Sequence, residues 1–178
     1  EPEYNYDANG NTVSDLGRVT IYDYSGSGTS WNQVGNPIYQ SSSGDKVDCS
    51  DLSKDGSVVA IGTRHVSSVK VCQYDNGSWK QLGTTIISPV SGVEFGTGVR
   101  LSDDGSVLMV SARLDSTAGT ENGALYIYKY IGYDWVQQGS TLYGAYTSSV
   151  LGYQFNTGVS MSGDGSKIVA GGLYADAN

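Results

Sequence analysis

Side chains that perform chemistry are scarce in this chain. Its 178 residues hold one histidine, two cysteines, two methionines and three prolines. Acid–base catalysis of the Ser-His-Asp kind needs an imidazole held by a carboxylate and aimed at a nucleophile. The single candidate, His65, stands in Thr63-Arg64-His65-Val66 and has no counterpart elsewhere, so it reads as a surface or loop residue. No Cys/His spacing of a metal site and no glycine loop opening a helix is present. Asp23, Asp48, Asp51 and Glu94 supply carboxylates, but no spacing singles out two of them for glycoside hydrolysis. Basic residues are few as well: ten Lys and Arg against eighteen Asp and Glu give a net charge of −8. They are scattered singly, which argues against nucleic acid as a partner, because phosphate binding requires clustered cations. No apolar run approaches the roughly 20 residues of a membrane helix, and no 3.6-residue apolar period is sustained.

What the chain does have is glycine, tyrosine and a repeat. Twenty-five Gly mark turns, while Tyr, Val, Ile, Thr and Trp suit a pleated, half-buried surface, so the expected class is all-β. Trp31-Asn32-Gln33-Val34-Gly35, Trp79-Lys80-Gln81-Leu82-Gly83 and Trp135-Val136-Gln137-Gln138-Gly139 are three copies of Trp-x-Gln-x-Gly. Each is followed by an Asp-Gly pair, at Asp55-Gly56, Asp104-Gly105 and Asp164-Gly165. The tryptophans lie 48 and 56 residues apart and the aspartates 49 and 60, so two independent markers keep nearly one period. A period of that size means an array of supersecondary units.

Each unit opens on an alternating strand: Val19 to Tyr24, Val69 to Tyr74 and Leu125 to Tyr130. A short turn leads to a second strand bearing the Trp motif, and Asn76-Gly77 in one such turn is a strong hairpin signal. The third and fourth strands flank the Asp-Gly turn. The fourth strand of the first unit, Val58-Val59-Ala60-Ile61-Gly62, barely alternates, as expected when both faces are covered. Four antiparallel strands per unit predict three blades of a β-propeller. Residues 1–16 are expected to be a connector, 17–66, 67–122 and 123–178 the three repeats, the last running into a further connector. Three blades are too few to close a propeller. The units are therefore expected to belong to a larger ring, with association of several chains or a β-trefoil-like closure as alternatives.

Phe95-Gly96-Thr97-Gly98-Val99 and Phe155-Asn156-Thr157-Gly158-Val159, together with Leu101-Ser102-Asp103-Asp104-Gly105-Ser106, resemble FG-GAP repeats, the blade motif of integrin-α-like propellers. The phrasing Trp-x-Gln-x-Gly followed by Leu-Ser-x-Asp-Gly-Ser is similar to repeats in large surface proteins of microbial eukaryotes such as algae. The resemblance implies a propeller and an extracellular or cell-surface place. Two departures stand out. A calcium loop needs several oxygen ligands on one tight run, yet Arg100 and Ser160 stand four residues before Asp104 and Asp164. The Asp-Gly pairs are better read as turns, in which Gly tolerates positive φ. The first unit has Asp45 to Cys49 where the others carry Phe-Gly.

The structural markers expected to define the repeat are Trp31, Trp79, Trp135, Gly56, Gly105, Gly165, Phe95 and Phe155. The tryptophans read as packing residues, with sugar stacking as the alternative. Cys49 and Cys72 are compatible with one disulfide closing about 22 residues, worth about 3 kcal/mol, or with two buried thiols. Asn76-Gly77-Ser78 is an N-glycosylation sequon in an exposed hairpin. No cofactor or catalytic residue is expected. The function read from these features is non-enzymatic: a structural or adhesive segment whose partners are other blades of a longer chain, other copies of it, or a protein or glycan ligand. A carbohydrate-binding module and a non-catalytic part of a larger secreted enzyme are the rivals.

Overall fold

A computed structural model describes residues 17–24, 29–41, 45–145, 151 and 158–172, with the backbone of 5–6 and 12–13. Among these residues the architecture is all-β: eighteen strands and one 3₁₀ turn, Arg64–Val66. A small hairpin pairs β1 (Asn5–Tyr6) with β2 (Thr12–Val13). Next come β3 (Arg18–Val19), β4 (Tyr22–Tyr24), β5 (Trp31–Gln33) and β6 (Ile38–Tyr39), in which β3 pairs with β6 and β4 with β5. The first complete sheet contains β7 (Cys49–Leu52), β8 (Val58–Thr63), β9 (Ser68–Asp75) and β10 (Ser78–Gln81), with the short β11 (Ile86–Ile87) also on β9. The second repeats this pattern with β12 (Phe95–Leu101), β13 (Val107–Ala112), β14 (Ala124–Tyr130), β15 (Trp135–Gln137) and β16 (Leu142–Tyr143). A ribbon of β17 (Val159–Met161) and β18 (Ile168–Ala170) follows.

The sheets are out of phase with the sequence period. Arg64 to Ser67 make a tight reversal, with Ser67 left-handed at φ 50°, so β8 runs directly into β9. The fourth strand of one unit thereby pairs with the first strand of the next, Val59 opposite Cys72 and Ala60 opposite Val71. The boundaries at 66/67 and 122/123 therefore fall between paired strands of one sheet. Three four-stranded blades were expected. The described residues form instead two five-stranded sheets, each a four-strand path with one short strand beside it, flanked by two half-sheets. The β3–β6 group is the first- and second-strand half, since Val19 faces Ile38 as Val69 faces Ile86 and Leu125 faces Leu142. The β17–β18 ribbon is the third- and fourth-strand half.

Successive layers bury apolar side chains face to face. Ile21 of the first half-sheet packs with Val59, Ile61 and Cys72. Ala60, Val69 and Val71 of the first full sheet meet Phe95, Leu108, Val110 and Tyr126 of the second. Met109 and Leu125 then meet Val159, with Met161 and Ile168 beside them. Both β8 and β13 are buried along their whole length, in keeping with the unalternating sequence of β8.

Of the two readings open for the cysteines, the structure takes that of two buried thiols. Cys49 and Cys72 are both free and buried. They lie on β7 and β9, on opposite sides of β8. Two strand spacings put their backbones about 9–10 Å apart, whereas a bridge needs Cα atoms within about 7 Å. Their side chains also enter different cores. Cys49 Sγ donates to the Gly96 carbonyl at 3.1 Å. Burial, reinforced by the nearby Asp48 charge, pushes its thiol up to about 12. Burial raises Cys72 too. Neither thiol is expected to react with an aromatic disulfide reagent at neutral pH in the native protein, and both should react after denaturation. A thiol titre of zero in denaturant would restore the bridge.

Candidate functional site

The repeat markers converge at the junctions between sheets. Trp135, on β15, is 8% exposed and its Nε1 donates to the Leu82 carbonyl at 2.9 Å. Its indole covers Gly83, where a Cβ would stand 2.9 Å from Trp135 Cδ1. Trp79 does the same to the layer before it: Nε1 donates to the Val34 carbonyl at 2.9 Å, and a Cβ on Gly35 would meet Cδ1 at 3.0 Å. Gly35 and Gly83 both have positive φ, +68° and +74°, so glycine serves there both for conformation and for close approach. The last glycine of one Trp-x-Gln-x-Gly motif is thus the seat of the next motif's tryptophan. A tyrosine braces each indole in one geometry: Tyr24–Trp31, Tyr74–Trp79 and Tyr130–Trp135 have ring centroids 5.2–5.4 Å apart, tilted by 49–54°. Asp134 adds to the second clasp by accepting from the Thr84 and Trp135 backbone N–H groups. These bonds, Thr84's first, hold its carboxyl below the usual carboxylate range. At the two ends the clasp is open. Trp31 is 66% exposed, and Gly139, at φ +72°, has nothing over it among the described residues.

The Asp-Gly turns form a second row of contacts. Asp55, Asp104 and Asp164 each accept from the backbone N–H of the serine two residues on, at 2.9–3.0 Å. Ser53, Ser102 and Ser162 donate their hydroxyls to the same carboxylates at 2.6–2.8 Å. Gly56, Gly105 and Gly165 follow at φ between +69° and +73°. Oδ1 of each carboxylate is thereby engaged inside its own turn. Among the described residues, no group of three His, Cys, Asp or Glu side chains is placed to hold a metal ion. Lys54 N–H donates to the Asp103 carbonyl and Asp103 N–H to that of Gly163, so the turns are also strung from layer to layer.

Hydrogen bonds to the ionised form depress all three aspartates: the Ser57 N–H foremost for Asp55, the Ser102 hydroxyl for Asp104 and the Ser162 hydroxyl for Asp164. A carboxyl whose folded pKa lies below its unfolded value of about 4 stabilises the fold above that value. The contribution is lost as pH falls through the lower, folded value. Thermal midpoints are therefore expected to drop on acidification below about pH 4, and Asp104→Asn should flatten that slope. An unchanged slope would remove Asp104 from the account.

At the other end of the strands, Arg64 bridges two layers. Its Nε reaches Asp48 Oδ1 at 2.9 Å and its Nη1 reaches Glu94 Oε2 at 3.4 Å. Arg113, its counterpart one unit on, bonds the same Glu94 oxygen. The Arg113 guanidinium, with help from Arg64, lowers Glu94 against the opposing effect of burial. Two of the carboxylates considered for chemistry are thus held in ion pairs, Asp48 within its own sheet and Glu94 across to Arg64 of the layer before. His65 is half-exposed, 4.0 Å from Asp48. The Arg64–Glu94–Arg113 set escaped the sequence reading, although both arginines sit just after the fourth strand of their units.

Phe95 is wholly buried, edge-on to Tyr126 and Tyr128. Gly96, at φ +91°, lets the Ser68 carbonyl approach to 2.8 Å of where a Cβ would stand. Where the first unit lacks Phe-Gly, Cys49 and Gly62 fill the space against Gly96. Phe155 lies outside the described residues. Asn76 is exposed in its turn at φ 48°, and its Nδ2 donates to Asp75.

Two open grooves accompany the half-sheets. One, of about 500 Å³, is lined by Val19, Ile21, Tyr22, Trp31, Leu52 and Val59. The other, of about 360 Å³, is lined by Ile127, Gln138, Gly139, Leu142, Gly165 and Ile168 among others.

No protein-family model matches this sequence, and no curated protein matches it. Solved structures do match in fold. One is a protein of Bacteroides uniformis described as a candidate 6-phosphogluconolactonase, at 15% identity and a TM-score of 0.59 over 94% of this chain and 46% of that one. Another is a protein of Lactobacillus plantarum, at 20% identity and a TM-score of 0.51 over 74% and 36%. The chain spans less than half the length of either, and at these identities the likeness is one of fold alone.

Proposed function

We propose that this chain is a non-enzymatic segment of a β-propeller, in the style of FG-GAP repeats, with a structural or adhesive role at a cell surface or outside the cell. One observation carries the reading: the repeated side chains are engaged in closing their own turns and in joining sheet to sheet. Trp79 and Trp135 clasp the preceding layer, the aspartates close their own turns, and Arg64 with Arg113 pins Glu94. The exposed residue left over is a Tyr- and Trp-bearing surface, which offers large contact area at low entropy cost. A net charge of −8 suits a surface-exposed protein. The sequon at Asn76, in an exposed turn, is compatible with secretion.

A sugar-binding reading has one point in its favour, the exposed Trp31 ring beside Tyr24 over an open groove. The matched 6-phosphogluconolactonase-like structure raises lactone hydrolysis as a third reading. Two assays separate them. A glycan array is expected to show no binding that Trp31→Ala abolishes, and a pH-stat assay with 6-phosphogluconolactone is expected to show no acid release above the uncatalysed rate. A positive in either assay would overturn the scaffold reading.

A further inference from the structure

The two half-sheets are complementary halves of one sheet, and we infer that a second copy of this chain, docked head to tail, supplies the missing half of each. The inference rests on the propeller reading above. In both complete sheets the strand after the Asp-Gly turn pairs onward with the first strand of the next unit, β8 with β9 and β13 with β14. β18 holds that place after Asp164-Gly165, yet among the described residues it pairs with β17 alone. β4 is the counterpart of β9 and β14, and among the described residues it pairs with β5 alone. Such unpaired edges are templates for strand addition.

The internal sheets dictate the register. Val58 faces Gln73 and Ala60 faces Val71, just as Val107 faces Lys129 and Met109 faces Ile127. Transferred to β18 and the second copy's first strand, this sets Lys167 opposite Asp23 and Val169 opposite Ile21. Opposite charges directly across a ladder stabilise the pairing. Neither internal junction has them; this one does.

Side chains agree with the backbone. Trp31, Tyr22 and Tyr24 are 66%, 54% and 49% exposed, on the face that in the second full sheet carries Trp135, Tyr128 and Tyr130 onto the preceding layer. Seated as Trp135 sits on Gly83, the second copy's Trp31 covers Gly139 in the groove beside Ile127 and Leu142, and its N–H meets the Gln138 carbonyl. In the other direction, Val169 is 66% exposed where its counterpart Met109 is fully buried. The groove walled by Val19, Ile21, Leu52 and Val59 is the place it enters. A twofold pair uses this one contact twice and leaves neither half-sheet open.

The test is mass by light scattering and sedimentation across a wide concentration range, with far-UV circular dichroism to check folding. The expected result is a dimer. Trp31→Ala should weaken it about a hundredfold or more, as for a buried aromatic anchor. Lys167→Asp or Asp23→Lys should each weaken it about tenfold, and the double variant should recover affinity. Gly139→Ala, which meets open space among the described residues of one copy and strains only its own turn at φ +72°, should also release the dimer. A folded monomer at every concentration overturns the inference, as it would if a further unit of a longer polypeptide normally fills these edges. So does a dimer that ignores Lys167 and Gly139, which would be a Trp31-to-Trp31 contact, and so does open-ended growth beyond two copies. A monomer leaves the scaffold reading standing, since that reading fails only in the glycan or lactone assays.

Discussion

Phe95→Ala is expected to lower unfolding stability by about 3–5 kcal/mol, the cost of losing a large side chain from a close-packed site. Phe95 has no solvent exposure and packs edge-on to two rings, 5.4 Å from Tyr126 and 6.3 Å from Tyr128. Such pairs add about 0.5–1.5 kcal/mol beyond area burial. The site is also poorly able to collapse, because backbone walls it on one side. A Cβ on Gly62 would stand 2.3 Å from the Gly96 carbonyl oxygen, and one on Gly96 2.8 Å from that of Ser68. Tyr126 cannot easily swing into the space, since its hydroxyl donates to the buried Asp115 carboxylate at 2.6 Å. Phe95→Leu should cost less, about 1–2 kcal/mol, as a shape change with partial filling. Urea midpoints for the two variants check this, with the leucine form serving if the alanine form is too unstable to fold. A loss under about 1 kcal/mol for Phe95→Ala would remove Phe95 from the set of residues that hold the two full sheets together.

The four main strands of a unit were legible in the sequence because each advertises itself locally, whereas the two-residue β6, β11 and β16 were not. Tyr-rich alternation marks Leu125 to Tyr130, Asn76-Gly77 marks the turn to Trp79, and the apolar run at Val58 marks a strand covered on both faces. Sheet membership was not legible, for a reason built into repeats: a period is the same wherever one starts counting. The link that decides the phase is Arg64-His65-Val66-Ser67, which carries none of the Gly, Pro or Asn-Gly signals by which turns are recognised, and whose left-handed residue is a serine. The choice between a disulfide and two buried thiols turned on parity. Sequence spacing gives loop length, but Cys49 and Cys72 face opposite cores because they occupy opposite faces of strands two apart. The turn reading of the Asp-Gly pairs came from residue chemistry, and the Ser-x-Asp-Gly-Ser hydrogen bonds supply its physical content. What the motif alone could not convey is that each tryptophan's partner is the glycine of the unit before it.

The three tryptophans share one motif, yet their alanine substitutions are expected to differ by several kcal/mol when measured at concentrations low enough to keep copies apart. Trp135→Ala removes a buried ring seated in the main core and leaves the Leu82 carbonyl without its donor, so the loss is about 3–5 kcal/mol. Trp79 makes the same hydrogen bond to Val34 but is only half-buried against the smaller Ile21 core, so Trp79→Ala costs about 2–3 kcal/mol. Trp31 braces against Tyr24 and is otherwise open to solvent, so Trp31→Ala stays within about 0.5 kcal/mol, as for an ordinary surface residue. Replacing each tryptophan by phenylalanine divides the effect further. The ring persists while the N–H is lost, so Trp135→Phe and Trp79→Phe retain a cost of about 1–3 kcal/mol from an acceptor left unpaired, and Trp31→Phe is neutral. Acrylamide quenching supplies an independent reading, in which one of three fluorophores should be freely accessible. Equal losses for all three alanine variants would mean that the motif acts within its own hairpin. The graded series instead places its energy in the seat offered by the preceding layer, so that an identical sequence is worth several kcal/mol or almost nothing according to whether a glycine of the unit before it lies beneath the ring.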